Sequence, residues 1–366
     1  MSRRVSLCAA LFLIASLTPA VSSAASEQSL SLSAGVSTTY NSNFLEYSDN
    51  QIDRFKAGTN ALRFSLESTD DVIFSPGVSL QWELDQGSGR KHALRAHWDG
   101  DFHGSNPGAD YRSYSARWTE SFGGGRRFAV GYGRMDHFFV RQLRDEDLPV
   151  LLGDARWQRA EFDQDAITAS WRQDVGKDMN LGLAYRYEKR DYNAAFVERS
   201  SKNNQGVVTL GFDKLPNRGE IELSAGYRQS KADADDGDGI AGDDDDVSYH
   251  GILAGANGRM QLSRSKALRW TGDLGVDLAT RSYDSDRSAA IDPFHVGRND
   301  MLIGFEAGVR ASWKRWDARV FGRLENNNAD LGTGASPTSD SGSYSKQMVG
   351  LELSWSGDLW KSAKSN

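Results

Sequence analysis

The chain has 366 residues and a single cysteine, so no intramolecular disulfide can form. Proline is scarce, at 7 residues, whereas glycine is abundant, at 37. After the first two dozen residues there is no long hydrophobic run, and the mean hydropathy is −0.57, which excludes a protein that crosses a membrane with helices. The net charge of −7 at pH 7 argues against a nucleic-acid partner.

The first 24 residues have the organisation of a secretory signal peptide. Arg3 and Arg4 precede an apolar stretch, 5–17, and small residues follow at 18–24. We predict cleavage after Ala24, with Ala25 as the alternative site. A membrane anchor is disfavoured because the apolar stretch is shorter than the ~20 residues that a span needs. Cleavage would remove the only cysteine, Cys8.

The remaining chain shows the two-residue period of β-strands and no sustained helical period. In one example, 179–188, apolar and polar side chains alternate, which places them on opposite faces of a strand. Fourteen such segments are predicted, at 29–40, 72–84, 91–103, 111–121, 127–140, 160–174, 179–192, 205–214, 219–230, 247–263, 267–283, 299–314, 316–327 and 344–357.

The links between these segments favour a membrane barrel over a soluble β-sandwich, although both architectures produce the same alternation. Links after even-numbered strands are short, and most links after odd-numbered strands are long, which is typical of outer-membrane barrels with periplasmic turns. Tryptophans also collect near the short-turn ends, as expected at a membrane interface: Trp82, Trp118, Trp171, Trp270, Trp313, Trp316, Trp355 and Trp360. A second aromatic belt is predicted near the long loops, from Phe102, Tyr111, Phe138, Phe139, Tyr192, Tyr227, Tyr249 and Tyr283.

The whole mature chain resembles a Gram-negative outer-membrane β-barrel, and two parts of it carry more specific resemblances. The last strand, with Val349, Leu351, Leu353 and Trp355, resembles the C-terminal assembly signal of Gram-negative outer-membrane β-barrels, although a short tail follows it. The strings 40–43 and 75–80 resemble porin-like barrels associated with polysaccharide export and, more loosely, the barrel of surface-lipoprotein assembly modifiers. We therefore predict a signal peptide at 1–24, an antiparallel up-and-down transmembrane β-barrel of about 14 strands at 25–360, and a tail at 361–366.

Two long links carry unusual sequence. Within 41–71, residues 61–66 have the character of an extra short strand, which would change the strand count. Within 141–159, Leu148, Val150, Leu151 and Leu152 are apolar for a surface loop. They would either fold inward as a constriction, contact a partner, or pack on neighbouring loops.

The polar faces of the strands are predicted to line a charged lumen, in which positive and negative side chains are about equal in number. The predicted lumen-lining residues are Arg95, His97, Asp99, Asp101, Arg186, Glu188, Glu220, Glu222, Arg228, Asp273, Asp277, Glu306, Arg310, Arg319 and Arg323. Charges in a closed interior must be solvated or paired. Because fourteen strands enclose more space than the eight whose interior side chains fill, we favour a water-filled lumen. Balanced signs predict weak ion selectivity.

Sites for chemistry are few. His97, Asp99, Asp101 and His103 share one strand face, but residues spaced by two lie ~6.6–7 Å apart, too far for all four to bind one metal ion. One of these histidines could act as the base for a serine nucleophile, but no serine motif lies at a spacing that supports this. The acidic segment 233–246 is rich in aspartate and glycine, a composition suited to Ca²⁺, and Asp235, Asp236 and Asp238 are the candidate ligands.

The sequence thus predicts a non-enzymatic barrel in the outer membrane of a Gram-negative bacterium, forming a weakly selective channel or export conduit for small solutes or a polymer. A lipid-modifying hydrolase and a plugged structural or assembly barrel are the alternatives. Expected partners are outer-membrane lipids, the β-barrel assembly machinery during biogenesis, and an unidentified periplasmic or surface protein. No cofactor is expected apart from Ca²⁺ at 233–246.

Overall fold

The computed structural model describes residues 27–87, 89–145, 148, 150–215, 219–234, 245–265, 267–332 and 342–362. The predicted signal peptide and the candidate calcium ligands Asp235, Asp236 and Asp238 lie outside these ranges. No helix among the described residues has the length and apolar character needed to cross a membrane.

Fourteen antiparallel strands form one closed barrel, in which each strand pairs with its neighbours in sequence and the last pairs with the first. The strands are β1 (Glu27–Asn41), β2 (Asp71–Asp85), β3 (Lys91–His103), β4 (Tyr111–Phe122), β5 (Arg126–Arg144), β6 (Trp157–Asp174), β7 (Met179–Tyr192), β8 (Ser201–Leu215), β9 (Gly219–Ala232), β10 (Tyr249–Arg264), β11 (Arg269–Tyr283), β12 (Asn299–Trp313), β13 (Trp316–Asp330) and β14 (Tyr344–Lys361). The fold class and the number of strands predicted from the sequence are confirmed.

Closure depends on the pairing of β1 with β14, which runs from Ser29 opposite Lys361 to Asn41 opposite Met348. The last strand is therefore longer than the predicted 344–357. One bulge interrupts the register, between Leu30 and Ser31. Because every strand has two partners, the barrel has no free edge with unpaired backbone groups.

Alternation along each strand separates an apolar outer surface from a polar inner surface. On β11, Leu274 and Val276 are 58% and 46% exposed on the outside, whereas Asp273 and Asp277 bond to arginines inside. The same parity holds on β14, where Val349, Leu351 and Leu353 face outward. Solvent-exposed apolar side chains in this number are stable only against lipid.

The tryptophan belt lies where it was predicted, but the second belt is composed differently. Trp118, Trp270, Trp313, Trp316 and Trp360 are exposed on the outside near the short turns. Toward the other end, Tyr40, Phe74 and Tyr227 are exposed on the outside, whereas Tyr132 and Tyr185 lie farther from the loop ends of their strands. Six of the eight residues predicted for this belt lie inside the barrel or under its loops instead: Tyr111, Phe138, Phe139, Tyr192, Tyr249 and Tyr283. The alternating pattern fixes the face of a residue only while a strand stays regular, and β5 contains two bulges around Phe138 and Phe139.

Short and long connections alternate as predicted. The turn 123–125 between β4 and β5 requires glycine, because Gly124 and Gly125 have φ values of +77° and +71°. The opposite rim carries the longer links, including 42–70, 145–156, 193–200, 233–248 and 284–298.

The longest of these links contains a helix that the sequence analysis missed. This helix, α1 (Asp49–Lys56), begins with a capping box in which Ser48 and Gln51 exchange hydrogen bonds. Its 8 residues are too few to produce a lasting helical period. Residues 61–66, proposed as an extra strand, form turns instead, so the strand count is unaffected.

Two leucines of the apolar run in the link 145–156 are exposed. Leu151 is 88% exposed and Leu152 is 43% exposed, so neither packs closely on neighbouring loops, and an inward constriction or a partner contact stays a prediction. The inward-folding segment is the link between β1 and β2, and its geometry is described below.

An arginine on the outer surface should destabilise the barrel far more than one on the inner surface. Val276→Arg places a charge in the lipid-facing middle of β11 and should lower the free energy of unfolding by about 2–4 kcal/mol. Ser115→Arg, on the inner wall of β4 beside a cavity, is the matched control and should change it little. Urea unfolding in lipid vesicles measures both, and equal losses would contradict the assignment of faces.

Candidate functional site

The inner wall is the candidate functional surface. All fifteen residues predicted to line the lumen occupy inward positions: Arg95, His97, Asp99 and Asp101 on β3; Arg186 and Glu188 on β7; Glu220, Glu222 and Arg228 on β9; Asp273 and Asp277 on β11; Glu306 and Arg310 on β12; Arg319 and Arg323 on β13.

At the extracellular end, residues 42–70, which we call the mouth loop, fold into the barrel. Glu46 forms an ion pair of 2.7 Å with Lys346 on the inner face of β14. On the other side, the ring of Phe44 lies 5.3 Å from that of His103 on β3, and the guanidinium of Arg141 on β5 lies 5.7 Å from the ring centroid of Tyr47. Contacts with strands so far apart around the barrel require the loop to cross its mouth.

The mouth loop has a small hydrophobic core of its own. Leu45, Tyr47 and Phe64 are buried together with Ala109 from the link after β3 and Phe139 from β5. Ile52 and Phe55 of α1 pack against this cluster, and the rings of Tyr47 and Phe64 meet edge to face at 5.5 Å. Asn43 also donates its side-chain amide to the carbonyl of Tyr47, at 2.7 Å. The loop is therefore a packed structure and not a loose strand connection.

Glu46 lies under strong positive potential. Burial alone would raise the pKa of its carboxyl group, but Lys346, with the more distant Arg141 and Arg281, holds that pKa below its ordinary value. Lys346 also bonds to Glu325, at 2.8 Å. The sequence analysis did not find Glu46 or Lys346 as functional residues. The capping box of α1 was the available signal that this link is structured.

Farther down the lumen, a network of ion pairs joins β11, β12, β13 and β14. Arg319 bonds to Asp273 and to Glu306, each at 2.6 Å, and to Glu352 at 3.3 Å. Arg323 bonds to Asp277 at 2.9 Å. Gly308 leaves room for this arrangement, since a Cβ there would lie 2.7 Å from a carboxylate oxygen of Asp273.

Open space lies beside these charges. A cavity of about 480 Å³ is bounded on one side by the Arg319 network. On the other side it is bounded by Glu220 and Glu222 on β9 and by Arg259 on β10. A second cavity, of about 670 Å³, lies at the periplasmic end near Glu27, Glu83 and Lys91. Charged walls around spaces of this size hold water. The lumen therefore combines the two possibilities that the sequence left open, a salt-bridge network and a wet interior.

An apolar exterior, a closed wall and a polar interior with room for water decide the class of protein. The chain forms a closed β-barrel of the outer-membrane type. This barrel carries its short turns on the periplasmic side and its long loops on the extracellular side.

Comparisons with solved structures return several outer-membrane proteins, each at low sequence identity. A bacterial polysaccharide outer membrane secretin is 11% identical, over 89% of this chain and 97% of its own, with a TM-score of 0.46. The outer membrane channel DcaP of Acinetobacter baumannii is 11% identical, over 92% and 99%, with a TM-score of 0.46. A loop-deletion mutant of OmpT, an outer membrane protein of Vibrio cholerae, is 7% identical, over 90% and 99%, with a TM-score of 0.44. No protein-family model and no curated protein matches the chain.

The barrel wall contains a Ser–His–Asp chain that the sequence analysis did not find. Ser79 on β2 lies opposite His97 on β3, with 2.9 Å between Oγ and Nδ1, and Nε2 of His97 lies 3.1 Å from Asp99. Residue spacing along one strand could not reveal this contact, because Ser79 lies on the neighbouring strand and only the register between β2 and β3 places it opposite His97. Ser79 is only 5% exposed, and Arg95 donates a hydrogen bond of 2.7 Å to its oxygen. The oxygen is thus occupied and shielded in this arrangement.

A second group of polar residues lies in the extracellular loops. Ligand atoms of Asp245, Asp292 and His295 lie within 4.8 Å of one another. Asp292 is fully buried, bonds to Nδ1 of His295 at 2.6 Å, and accepts hydrogen bonds from Ser285 and from the backbone of Asp246. Asp245 pairs with Arg199 at 2.7 Å. These contacts tie 245–248 to the loop 284–298, at the end of the acidic segment predicted to bind calcium.

The Arg319 network should contribute measurably to stability. Arg319→Gln leaves three carboxylates facing one another in the wall and should lower the free energy of unfolding by about 2 kcal/mol or more. Arg117→Gln removes an inward arginine whose contact is a hydrogen bond to Ser170, and it should cost much less. Urea unfolding in vesicles compares them, and equal costs would show that the network is only surface charge.

Proposed function

We propose that this barrel is a passive channel through which small hydrophilic solutes cross the outer membrane, with the mouth loop narrowing its extracellular end. The proposal rests on the two cavities along the charged inner wall, which are large enough to hold water. They lie below the mouth loop, which packs across the opening. Transport of this kind needs no chemical step, and the solute gradient supplies the driving force. A non-enzymatic role is part of the proposal.

The balanced charge of the wall favours a broad range of solutes. Arginines of the wall are matched by nearby carboxylates, as in the pairs Arg319–Asp273, Arg323–Asp277 and Arg186–Glu188. A wall of paired charges presents no ring of one sign, and such rings are the usual source of ion selectivity. For an extended polymer, the mouth loop would be an obstacle, which favours small solutes over an export conduit.

The biogenesis of the barrel is proposed on the sequence. The leader at 1–24 would be cleaved after Ala24 during export across the inner membrane, and the β-barrel assembly machinery would insert the chain among outer-membrane lipids. Binding of Ca²⁺ by Asp235, Asp236 and Asp238 and an unidentified periplasmic or surface partner also stay predictions.

A lipid-modifying hydrolase is the second candidate, favoured by the Ser79–His97–Asp99 chain. The group faces the lumen, so a lipid would have to enter the barrel to reach it. Refolded protein assayed with phospholipid and with a soluble ester tests this candidate. Hydrolysis lost in Ser79→Ala and His97→Ala, but kept in Ser115→Ala, would establish it. No hydrolysis by the unmodified protein would eliminate it.

The channel proposal predicts steady ohmic conductance steps when the signal-free protein is refolded and inserted in a planar lipid bilayer. A water-filled path carries ions without a gating step, so current should rise linearly with voltage. Insertion without conductance would contradict the proposal and favour a plugged structural barrel.

Loosening the mouth loop should enlarge that conductance. Tyr47→Ala removes a ring that is 2% exposed, together with its contacts to Phe64 and Arg141, so the loop should leave the opening. Leu62→Ala, in the same loop but 51% exposed, is the control and should conduct like the unmodified protein. Single-channel recording distinguishes them. If Tyr47→Ala conducts no better than the control, the mouth loop is not the constriction.

A further inference from the structure

Three arginines at the extracellular end of the lumen lack carboxylate partners. Arg141 on β5, Arg228 on β9 and Arg281 on β11 form no ion pair in the described part of the chain. Their neighbours are paired: Arg190 bonds to Glu188 at 2.6 Å, and Arg298 bonds to Asp300 at 2.6 Å.

Arg228 and Arg281 share a single aromatic ring. The guanidinium carbons lie 5.3 Å and 5.5 Å from the ring centroid of Tyr249, which projects inward from β10. Stacking on an aromatic face offsets part of the cost of desolvating a cation. Two like charges held against one ring also repel each other, and that repulsion remains unless an anion lies nearby.

The hydrogen-bonding capacity of the two guanidinium groups is mostly unused. Arg228 donates from Nη2 to the carbonyl of Thr280, at 3.0 Å, while its buried Nε has no partner among the described residues. The guanidinium of Arg281 makes no hydrogen bond to any described residue. A guanidinium has five N–H donors in a planar fork that matches the oxygens of carboxylate and phosphate groups. Both guanidinium groups therefore have N–H donors available to bind an oxyanion.

The nearest opposing charges are already engaged. Glu46 of the mouth loop is in electrostatic range of Arg141 and Arg281, but its carboxylate bonds to Lys346. Asp300 accepts two hydrogen bonds from Arg298, at 2.6 Å and 2.8 Å. Neither carboxylate forms an ion pair with Arg228 or Arg281 in the described part of the chain, so both guanidinium groups keep donors for a solute.

We infer that Arg228 and Arg281, stacked on Tyr249, form a binding site for small oxyanionic solutes at the extracellular end of the lumen, with Arg141 adding positive potential. This inference rests on the proposed channel function and names the class of solute that the channel favours. It also revises the weak selectivity expected from the wall as a whole, because three arginines at the extracellular end form no ion pair among the described residues.

The first test measures binding independently of transport. Inorganic phosphate, and acetate as a carboxylate, are titrated into refolded protein in detergent at constant ionic strength, with the thermal unfolding midpoint as the readout. Saturable stabilisation by either anion is expected, because a ligand of the folded state raises its stability by mass action. The double variant Arg228→Gln/Arg281→Gln should lose it. Arg117→Gln, which removes an inward arginine elsewhere on the wall, should retain it.

The second test measures selectivity in bilayers under a KCl gradient of low ionic strength, where charges are screened least. We expect chloride to be favoured over potassium, and the double variant to reduce that ratio by about threefold or more. Arg117→Gln should leave the ratio nearly unchanged. Phosphate should block chloride current in the unmodified protein and not in the double variant.

The outcomes separate the two claims. Saturable anion binding that depends on the arginine pair supports the site even if the protein does not conduct, in which case only the channel proposal fails. Conductance without saturable binding, or with selectivity that the double variant does not change, overturns the site and leaves the channel intact. If the double variant fails to refold, Arg228→Lys and Arg281→Lys retain the charge but not the planar fork, and unchanged phosphate binding in them would overturn the proposed geometry.

Discussion

Closure of the sheet is the constraint on which the rest of the structure depends. In lipid, no water is present to bond with unpaired backbone groups, so each strand must find a partner on both sides. The pairing of β1 with β14 satisfies the last two edges. Once the wall is closed, alternation assigns one set of side chains to lipid and the other to the lumen. The charge network, the cavities and the mouth all follow from that division.

The parts of the structure that repeat regularly were predictable from the sequence. Fourteen strands, the alternating short and long links and the tryptophan belt all depend on local periodicity. Irregular parts were not. Helix α1 is too short to establish a period, and bulges in β5 changed the facing of Phe138 and Phe139. The partners of inward charges also escaped prediction, since Arg319 bonds to residues on three other strands. Only the register between strands determines such contacts.

The lumen shows how one set of charges serves two purposes. Where positive and negative side chains are paired, as around Arg319, they hold neighbouring strands together. Paired charges leave little net electrostatic potential in the adjacent space. Where pairing is incomplete, as around Tyr249, the wall keeps a field that a passing solute would feel. Whether a part of the wall stabilises the barrel or selects ions therefore depends on whether its arginines have carboxylate partners.

The attachment of the mouth loop to the closing strand has a consequence for assembly. Asn43 bonds to the backbone carbonyl of Ser345, Ser42 and Gln347 exchange hydrogen bonds, and Glu46 bonds to Lys346. The start of the segment that follows the first strand is therefore anchored on the last strand. These contacts can form only once β1 and β14 are paired, and they then add to the interactions that hold the two strands together. The packing of the mouth loop is thus coupled to the closure of the barrel.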